Sequence, residues 1–304
     1  MQDQLHFFQF IQQVKNFFLT QNFLEITTPP IVENPGMETH IHPFEVYHAQ
    51  TGKTTKKYLH TSPEFALKKF LCDNPAVQNI FSLNYSFRDE PRSDIHREQF
   101  LMLEWYKKNV QYTRLINDCK NLIHTFSPIS FTVCTMDELF NNFCSFSILD
   151  FDSPTELKKK INKDFPSVPL PTESLEWDDY FFLIFLNIIE PQINKIPALI
   201  IKEYPAQLAA LSTIKKDDSR VCERFELYLN GVEIANCFNE ETDITVIKER
   251  FQNQNRLKFK QYHYKLPPPQ SFYQAMKNYP QSSGIALGVE RLYSQLNNTS
   301  FFFE

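Results

Sequence analysis

Glycine is nearly absent from this chain, at 5 of 304 residues. Each one present is therefore expected to answer a backbone need and not to fill space. Positive charge is also in short supply. The formal net charge is −5, and the basic residues come in short groups such as Lys158 to Lys160, which excludes a long polyanion as the main partner. The longest apolar run, YFFLIFLNII over 180–189, covers about half of what a bilayer demands, so no membrane span is expected. The opening MQDQLHFFQFIQQ has neither a basic stretch nor a small-residue cleavage site, which reads as a soluble, untargeted, cytoplasmic protein. Six cysteines (Cys72, Cys119, Cys134, Cys144, Cys222, Cys237) form no CxxC pair and sit mostly in apolar segments. Reduced core thiols are expected, in place of disulfides or a zinc site. Neither an internal repeat nor a long linker appears.

What the chain does have is apolar bulk, 42% hydrophobic residues with 30 phenylalanines, enough for a substantial core. A single domain over 1–304 is expected. Apolar residues at 7, 8, 11, 14 and 18 predict a helix over 5–20, followed by a strand in EITTPPIV that meets an edge or turn at Pro29-Pro30. Ser62 as N-cap, Pro63 in the first helical position and Glu64 at the positive end of the dipole predict a helix running to about Cys72. A hairpin over 80–106 follows, then helices over 112–126, 136–144, 154–162 and 174–189 and a buried strand in IPALIIKEYP. The Pro-rich DFPSVPLPTES marks the hinge of a helical insertion at about 127–195. RVCERFELYLNGVEIANCFNEETD holds two alternating runs around Asn230-Gly231, a strong hairpin signal. Helices near 244–262 and 270–278 precede SSGIALGVERLYSQL, a strand passing into a helix. Hairpins mixed with helices of irregular length predict an α+β fold, an antiparallel sheet flanked by helices.

The hairpin SLNYSFRDEPRSDIHREQFLMLEWY (82–106) has an unusual polar face. Phe81, Leu83, Tyr85 and Phe87 share one side with Leu101, Leu103 and Trp105; Ser82, Asn84, Ser86, Arg88 and Glu90 share the other with Phe100, Met102, Glu104 and Tyr106. That mixture of guanidinium, carboxylates, ring and phenol suits a pocket floor holding an anion, a flat ring and an amine. The intervening loop adds Arg92, His96 and Arg97. Three further stretches carry matching chemistry: TSPE with Ser62 and Glu64, GVEIANCFNE with Glu233, Asn236 and Glu240, and GVERL with Glu290 and Arg291 after Gly288. Asn236, Phe238 and Glu240 have one strand parity and Glu233 the other, so a kink is expected near Ala235. His60 reads as a structural residue.

In order, TTPPIV, SFRDE…HREQFLMLEW and GIALGVERL resemble the three motifs of the catalytic domain of class II aminoacyl-tRNA synthetases, lysyl type. Within that class YLHTSPEFALKKFL, FLMLEWYKKN, RVCERFELYLNGVEIAN and SSGIALGVERL resemble the elongation factor P beta-lysine ligases, paralogues of lysyl-tRNA synthetase that modify a protein. The likeness runs from about residue 10 to 293, so an N-terminal anticodon-binding barrel is not expected. Ala286 stands where the synthetases carry glycine; Gln99 and Cys237 stand where the ligases carry a carboxylate and a glycine.

The resemblance implies ATP-dependent activation of (R)-beta-lysine or lysine as an adenylate, and transfer to a lysine side chain of elongation factor P by a homodimer, with tRNA not the expected acceptor. It implies Arg88 and Arg291 as catalytic residues on the α- and γ-phosphates. Glu90 would meet the adenine amine, Phe100 would stack on the ring, and His96 would reach the outer phosphates. Gln99, Ile234 and Gly288 complete the ATP site, and Glu233 would hold Mg²⁺. Ser62, Glu64, Glu104, Tyr106, Asn236, Phe238, Glu240 and Ala286 would surround the amino acid. A truncated synthetase acting on tRNA or another acceptor, and a non-catalytic regulatory paralogue, stay open as alternatives.

Overall fold

The computed structural model describes residues 2–91, 93 and 96–299; Arg92, expected in the charged loop, lies outside them. The chain divides into two compact units, Met1–Leu115 with Asn239–Glu304, and Ile116–Phe238.

The first unit opens with α1 (Gln2–Leu19). Its stripe of Phe7, Phe10, Val14 and Phe18, each 5% exposed or less, recurs at three- and four-residue spacing. Phe18 stacks on Phe81 at 5.0 Å and packs against Trp105 at 5.1 Å, so α1 covers the apolar face of the hairpin. Burying each such ring contributes about 1.5–3 kcal/mol. The strand expected in EITTPPIV is reduced to two short pieces, β1 (Leu24–Glu25) and β2 (Ile31–Val32), because two consecutive prolines remove the ladder donors between them. β3 (Glu45–Tyr47) and β4 (Thr54–Leu59) complete a small antiparallel sheet in the order β2-β4-β3. These two strands escaped the sequence reading, since TTKKYL is largely exposed and carries no clean alternation. α2 (Glu64–Asp73) starts one residue later than expected, with Pro63 in the N-cap position and no side-chain cap; the Glu64 amide reaches the Ser62 hydroxyl only at 3.4 Å. The hairpin is β5 (Asn79–Phe87) and β6 (Gln99–Lys108), and α3 (Tyr112–His124) leads into the second unit.

In the second unit come β7 (Thr132–Thr135) and α4 (Met136–Cys144), the latter opened by a capping box between Thr135 and Glu138. α5 (Pro154–Asp164) is capped by Ser153. The helix expected over 174–189 is α6 (Trp177–Ile184), which widens into a π-helical turn over 185–189 before α7 (Glu190–Ile193). Pro191 lacks the N–H that an α-helix would aim at the Asn187 carbonyl, and its ring crowds that group, so the preceding turn opens. β8 (Ala198–Pro205), β9 (Val221–Leu229) and β10 (Val232–Asn239) lie in the order β10-β9-β8-β7, antiparallel except for β7 on β8. Asn230 and Gly231 turn with φ of 47° and 78°, the left-handed pair of a tight hairpin. Phe140, Phe181, Phe185, Leu199 and Ile201 belong to this unit's core.

The chain then returns to the first unit with α8 (Ile244–Tyr262), capped by Asp243 through the Thr245 amide, followed by α9 (Gln270–Ala275), β11 (Ser282–Gly288) and α10 (Val289–Asn297). The larger sheet of this unit runs β1-β5-β6-β11, with β1 parallel to β5 and the rest antiparallel. The fold is α+β, with mostly antiparallel strands flanked by helices. Ser82 and Ser86 are 0% exposed: the polar face of the hairpin is enclosed, as is the apolar face around Phe81, Leu103 and Trp105, and Tyr85 near the open end is the exposed exception.

Candidate functional site

β6 is the middle strand around which the first unit's polar residues collect. Glu104 lies opposite Ser82 on β5 and Ala286 on β11, and Tyr106 lies between Ile80 and Gly284. The two-residue strand period puts Glu104 and Tyr106 on one face, where the phenol donates to Glu104 Oε2 at 3.2 Å. Glu104 is 1% exposed, and its Oε1 has no hydrogen-bond partner. A Cβ on Gly284 would lie 2.1 Å from Tyr106 Cε1 and 2.5 Å from Glu240 Oε1, so only glycine lets those two side chains approach. Glu240 follows β10 and is anchored by its own amide, which donates to the Ser282 carbonyl at 3.0 Å.

α2 supplies the third carboxylate, Glu64, from its first turn, beside Ser62. One turn later comes Lys68, whose Nζ lies 2.6 Å from Glu64 Oε1 and 2.5 Å from Glu240 Oε2. Burial pushes Glu104 well above the usual carboxylate range, and Glu64 adds repulsion. Burial likewise raises Glu64 and Glu240, against the pull of Lys68. Burial opposes the Lys68 charge too, but Glu240 and Glu64 outweigh it and raise its pKa. Ser62, Glu64, Glu104, Tyr106, Glu240 and Ala286 are thus brought together. The sequence reading missed Lys68, although a lysine four residues after a glutamate in a helix is a recognisable pair.

A second group surrounds the open end of the hairpin. The Arg88 guanidinium sits 5.1 Å from the centroid of the Phe100 ring, with its Nε unpartnered. Burial lowers the His96 pKa, and the cations Arg291 and Arg88 add to that while Glu90 opposes it. Arg88, Glu90 and Arg291 therefore each lie within electrostatic reach of His96, whose neutral form burial and the two guanidiniums favour. Glu290, in the first turn of α10, takes the Leu101 amide on both oxygens at 2.8 and 3.0 Å, and burial pushes its pKa up to about 7. That grip fixes the helix carrying Arg291 to the residue after Phe100. Gly288 on β11 pairs with Met102 on β6, while Glu90 is half-buried and Gln99 exposed at the hairpin's open end.

In the second unit, β10 slips register between Glu233 and Ala235, where the kink was expected. Glu233 then faces Tyr228, Asn236 faces Glu226 and Phe238 faces Arg224. Tyr228, Glu226 and Arg224 alternate along β9, so the bulge turns Glu233 onto the face of Asn236 and Phe238. Ile234 is buried within the bulge, and Cys237 is buried on the opposite face, opposite Phe225. The same face shows a network the sequence reading missed. Arg224 donates to the Leu208 carbonyl at 2.8 Å and to Glu226, and lies over the rings of Tyr204 and Phe238. Glu226 also accepts from the phenols of Tyr204 and Tyr228, at 2.5 and 2.6 Å. Charges at alternate positions of the otherwise apolar RFELY were the available signal.

Among the described residues no helix is long and apolar enough to cross a membrane. The chain is similar to a protein named elongation factor P–(R)-beta-lysine ligase homolog from Aquifex aeolicus (strain VF5), 30% identical over 287 residues that cover 94% of this chain and 92% of the relative. It is also similar to proteins named elongation factor P–(R)-beta-lysine ligase from Proteus mirabilis (strain HI4320), 32% identical over 93% of this chain and 87% of that one, and Enterobacter sp. (strain 638), 31% identical over 92% and 86%. The family described as tRNA synthetases class II (D, K and N) matches residues 3–300. With the match spanning nearly every residue and the hairpin, the bulged strand and the glycine-bearing strand into α10 all in place, the chain belongs to the class II tRNA synthetase family (D, K and N).

Proposed function

We propose that this protein is an ATP-dependent ligase that activates (R)-beta-lysine or lysine as an aminoacyl-adenylate and transfers it to a lysine side chain of elongation factor P. One observation carries the reading: Glu64, Glu104 and Glu240 are gathered in one place, and a buried Glu104 oxygen there lacks a donor. A diamino acid brings two ammonium groups, which would be costly to bury without anionic partners. Family membership implies ATP use, and the names of the relatives supply the acceptor.

The amino acid's carboxylate is already ionised at neutral pH, so the first step needs no general base. It attacks the α-phosphorus, the bond to pyrophosphate breaks, and the chain's task is to place charge and align the attack. Arg88 grips the α-phosphate and Arg291 the γ-phosphate, as a planar guanidinium suits. Neutral His96 donates to the outer phosphates, Phe100 stacks on adenine and Glu90 accepts from its amine, with Gln99, Ile234 and Gly288 completing the ATP contacts. Ser62, Tyr106 and Ala286 shape the amino-acid site with the three acids, and the motif resemblance alone assigns Asn236 and Phe238 to the amino acid.

Glu233 offers the hard oxygens that Mg²⁺ takes, and such an ion is commonly held by one or two carboxylates and otherwise by phosphate. When bound, Mg²⁺ neutralises phosphate charge. In the second step the acceptor amine loses a proton, at about 4–5 kcal/mol at pH 7, and attacks the adenylate carbonyl as AMP leaves. A homodimer belongs to the same reading, supported by the exposed apolar side chains of Leu5, Phe8, Leu24 and Ile31.

The test supplies ATP and radiolabelled (R)-beta-lysine or lysine with elongation factor P and tRNA as separate acceptors. Label on elongation factor P is expected, and label on tRNA alone overturns the acceptor. Amino-acid-dependent exchange of pyrophosphate into ATP should vanish in Arg88→Ala and Arg291→Ala. A wild type without exchange for any diamino acid points instead to a non-catalytic paralogue.

A further inference from the structure

Lys68 is the cation that, among the described residues, is ion-paired with the acids of this pocket. It is 1% exposed, and it bridges Glu64 on its own helix and Glu240 beyond β10. Glu104, the third acid, takes a phenol on one oxygen and has no hydrogen-bond donor on the other, so Lys68 acts on it only through space. The neighbouring pair Lys69–Asp73 has the same helical spacing and a similar 2.6 Å separation, yet both side chains are about half exposed. An exposed pair of that kind does nothing beyond trimming the helix surface. A lysine buried between two carboxylates changes the charge that the pocket shows to anything entering it.

We propose that Lys68 is a specificity and positioning residue of the amine pocket: a resident ammonium that offsets one of three acids, so that the other two, once ionised against an incoming substrate, match its two amines. This rests on the proposed diamino-acid activation. The ammonium also fixes where the two acids point, because Glu64 Oε1 and Glu240 Oε2 are both turned onto its Nζ. Glu240 Oε1 is left on the side of Tyr106 and Gly284, and Glu104 Oε1 has no donor. Without Lys68, three buried acids would face one another with no internal cation, and ionising all of them would be disfavoured. Glu64 and Glu240 would be pushed further toward the protonated form that burial already favours for Glu104, and an incoming ammonium would have more protons to displace.

The experiment measures amino-acid-dependent pyrophosphate exchange in wild type, Lys68→Met, Lys68→Gln and Lys68→Arg, with thermal melting of each. The neutral variants should raise KM for the diamino acid about tenfold or more, the equivalent of one pKa unit of differential interaction, with KM for ATP unchanged. That elevated KM should fall as pH rises, since Glu64, Glu104, Glu240 and Tyr279 face the vacated position, with Glu38 beside Glu64 and Tyr106 beside Glu104, and the three pocket acids must ionise to bind. Lys68→Arg, which keeps the charge, should restore most of the affinity. The inference fails if a folded neutral variant keeps the wild-type KM for the amino acid, or if both KM values rise together. It also fails if neither neutral variant folds while Lys68→Arg does, because the ion pair is then structural. Exchange by the wild type is measured first: its absence defeats the proposed function, whereas its presence with unchanged Lys68 variants defeats this inference alone.

Discussion

Each unit buries a carboxylate among phenols, and the two are treated in opposite ways. In the second unit Glu226 accepts from Arg224, Tyr204 and Tyr228, so the chain supplies its donors. In the first unit Glu104 receives one phenol at 3.2 Å and keeps an oxygen with no donor. An acid served by its own chain is part of the architecture; one left short of donors destabilises the fold until something from outside completes it. The difference separates two buried polar groups of similar composition into a support and a receptor.

The largest expected effect tests the support. Glu226→Gln leaves the buried Arg224 guanidinium without its carboxylate and should cost about 3–5 kcal/mol, read by denaturant unfolding. A loss within about 0.5 kcal/mol, the range of ordinary surface substitutions, would erase the contrast.

Next comes Gly284→Ala, whose methyl group would collide with Tyr106 and Glu240. Overpacking of this kind costs about 1–3 kcal/mol, and amino-acid-dependent exchange should drop with it.

Glu104→Gln should act in the opposite direction, gaining about 1–3 kcal/mol at pH 8 by removing a buried group that is costly to ionise. Because burial raises the folded-state pKa of Glu104, the folded state keeps a proton where the unfolded state has released it. The Glu104 contribution to stability therefore declines as pH climbs above about 4.3, the ordinary glutamate value, and the variant lacks that part of the slope. Melting curves compared between pH 5 and pH 8 should diverge, while exchange activity of the variant collapses.

Smallest is Lys69→Ala, which removes an exposed helix pair and should cost about 0–1 kcal/mol. Set beside the Lys68 variants, it calibrates what position in the same helix contributes without burial.

Much of this was legible because it depends on neighbours in the chain. The α1 stripe, the bounds of α4 and α8 and the turn at Asn230-Gly231 follow from periodicity, caps and backbone preference within a few residues. The polar face of the hairpin followed from the two-residue period, and a parity conflict between Glu233 and Asn236 announced the bulge before any coordinates. β3 and β4 were not legible, since exposed short strands carry little pattern. Nor was the π-helical turn before Pro191, which α-helical periodicity does not distinguish from an ordinary helix.

By itself the amino-acid order determined most of the helices and the two hairpins, which faces of the first hairpin are apolar, and the likeness to a class of activating enzymes. Tertiary structure alone decided that the polar face is enclosed, that Lys68 joins Glu64 to Glu240, and that Glu226 is served while Glu104 is not. The physical reason is that propensity and periodicity act over a few residues, whereas the cost of a buried charge is set by whichever distant groups the fold brings against it.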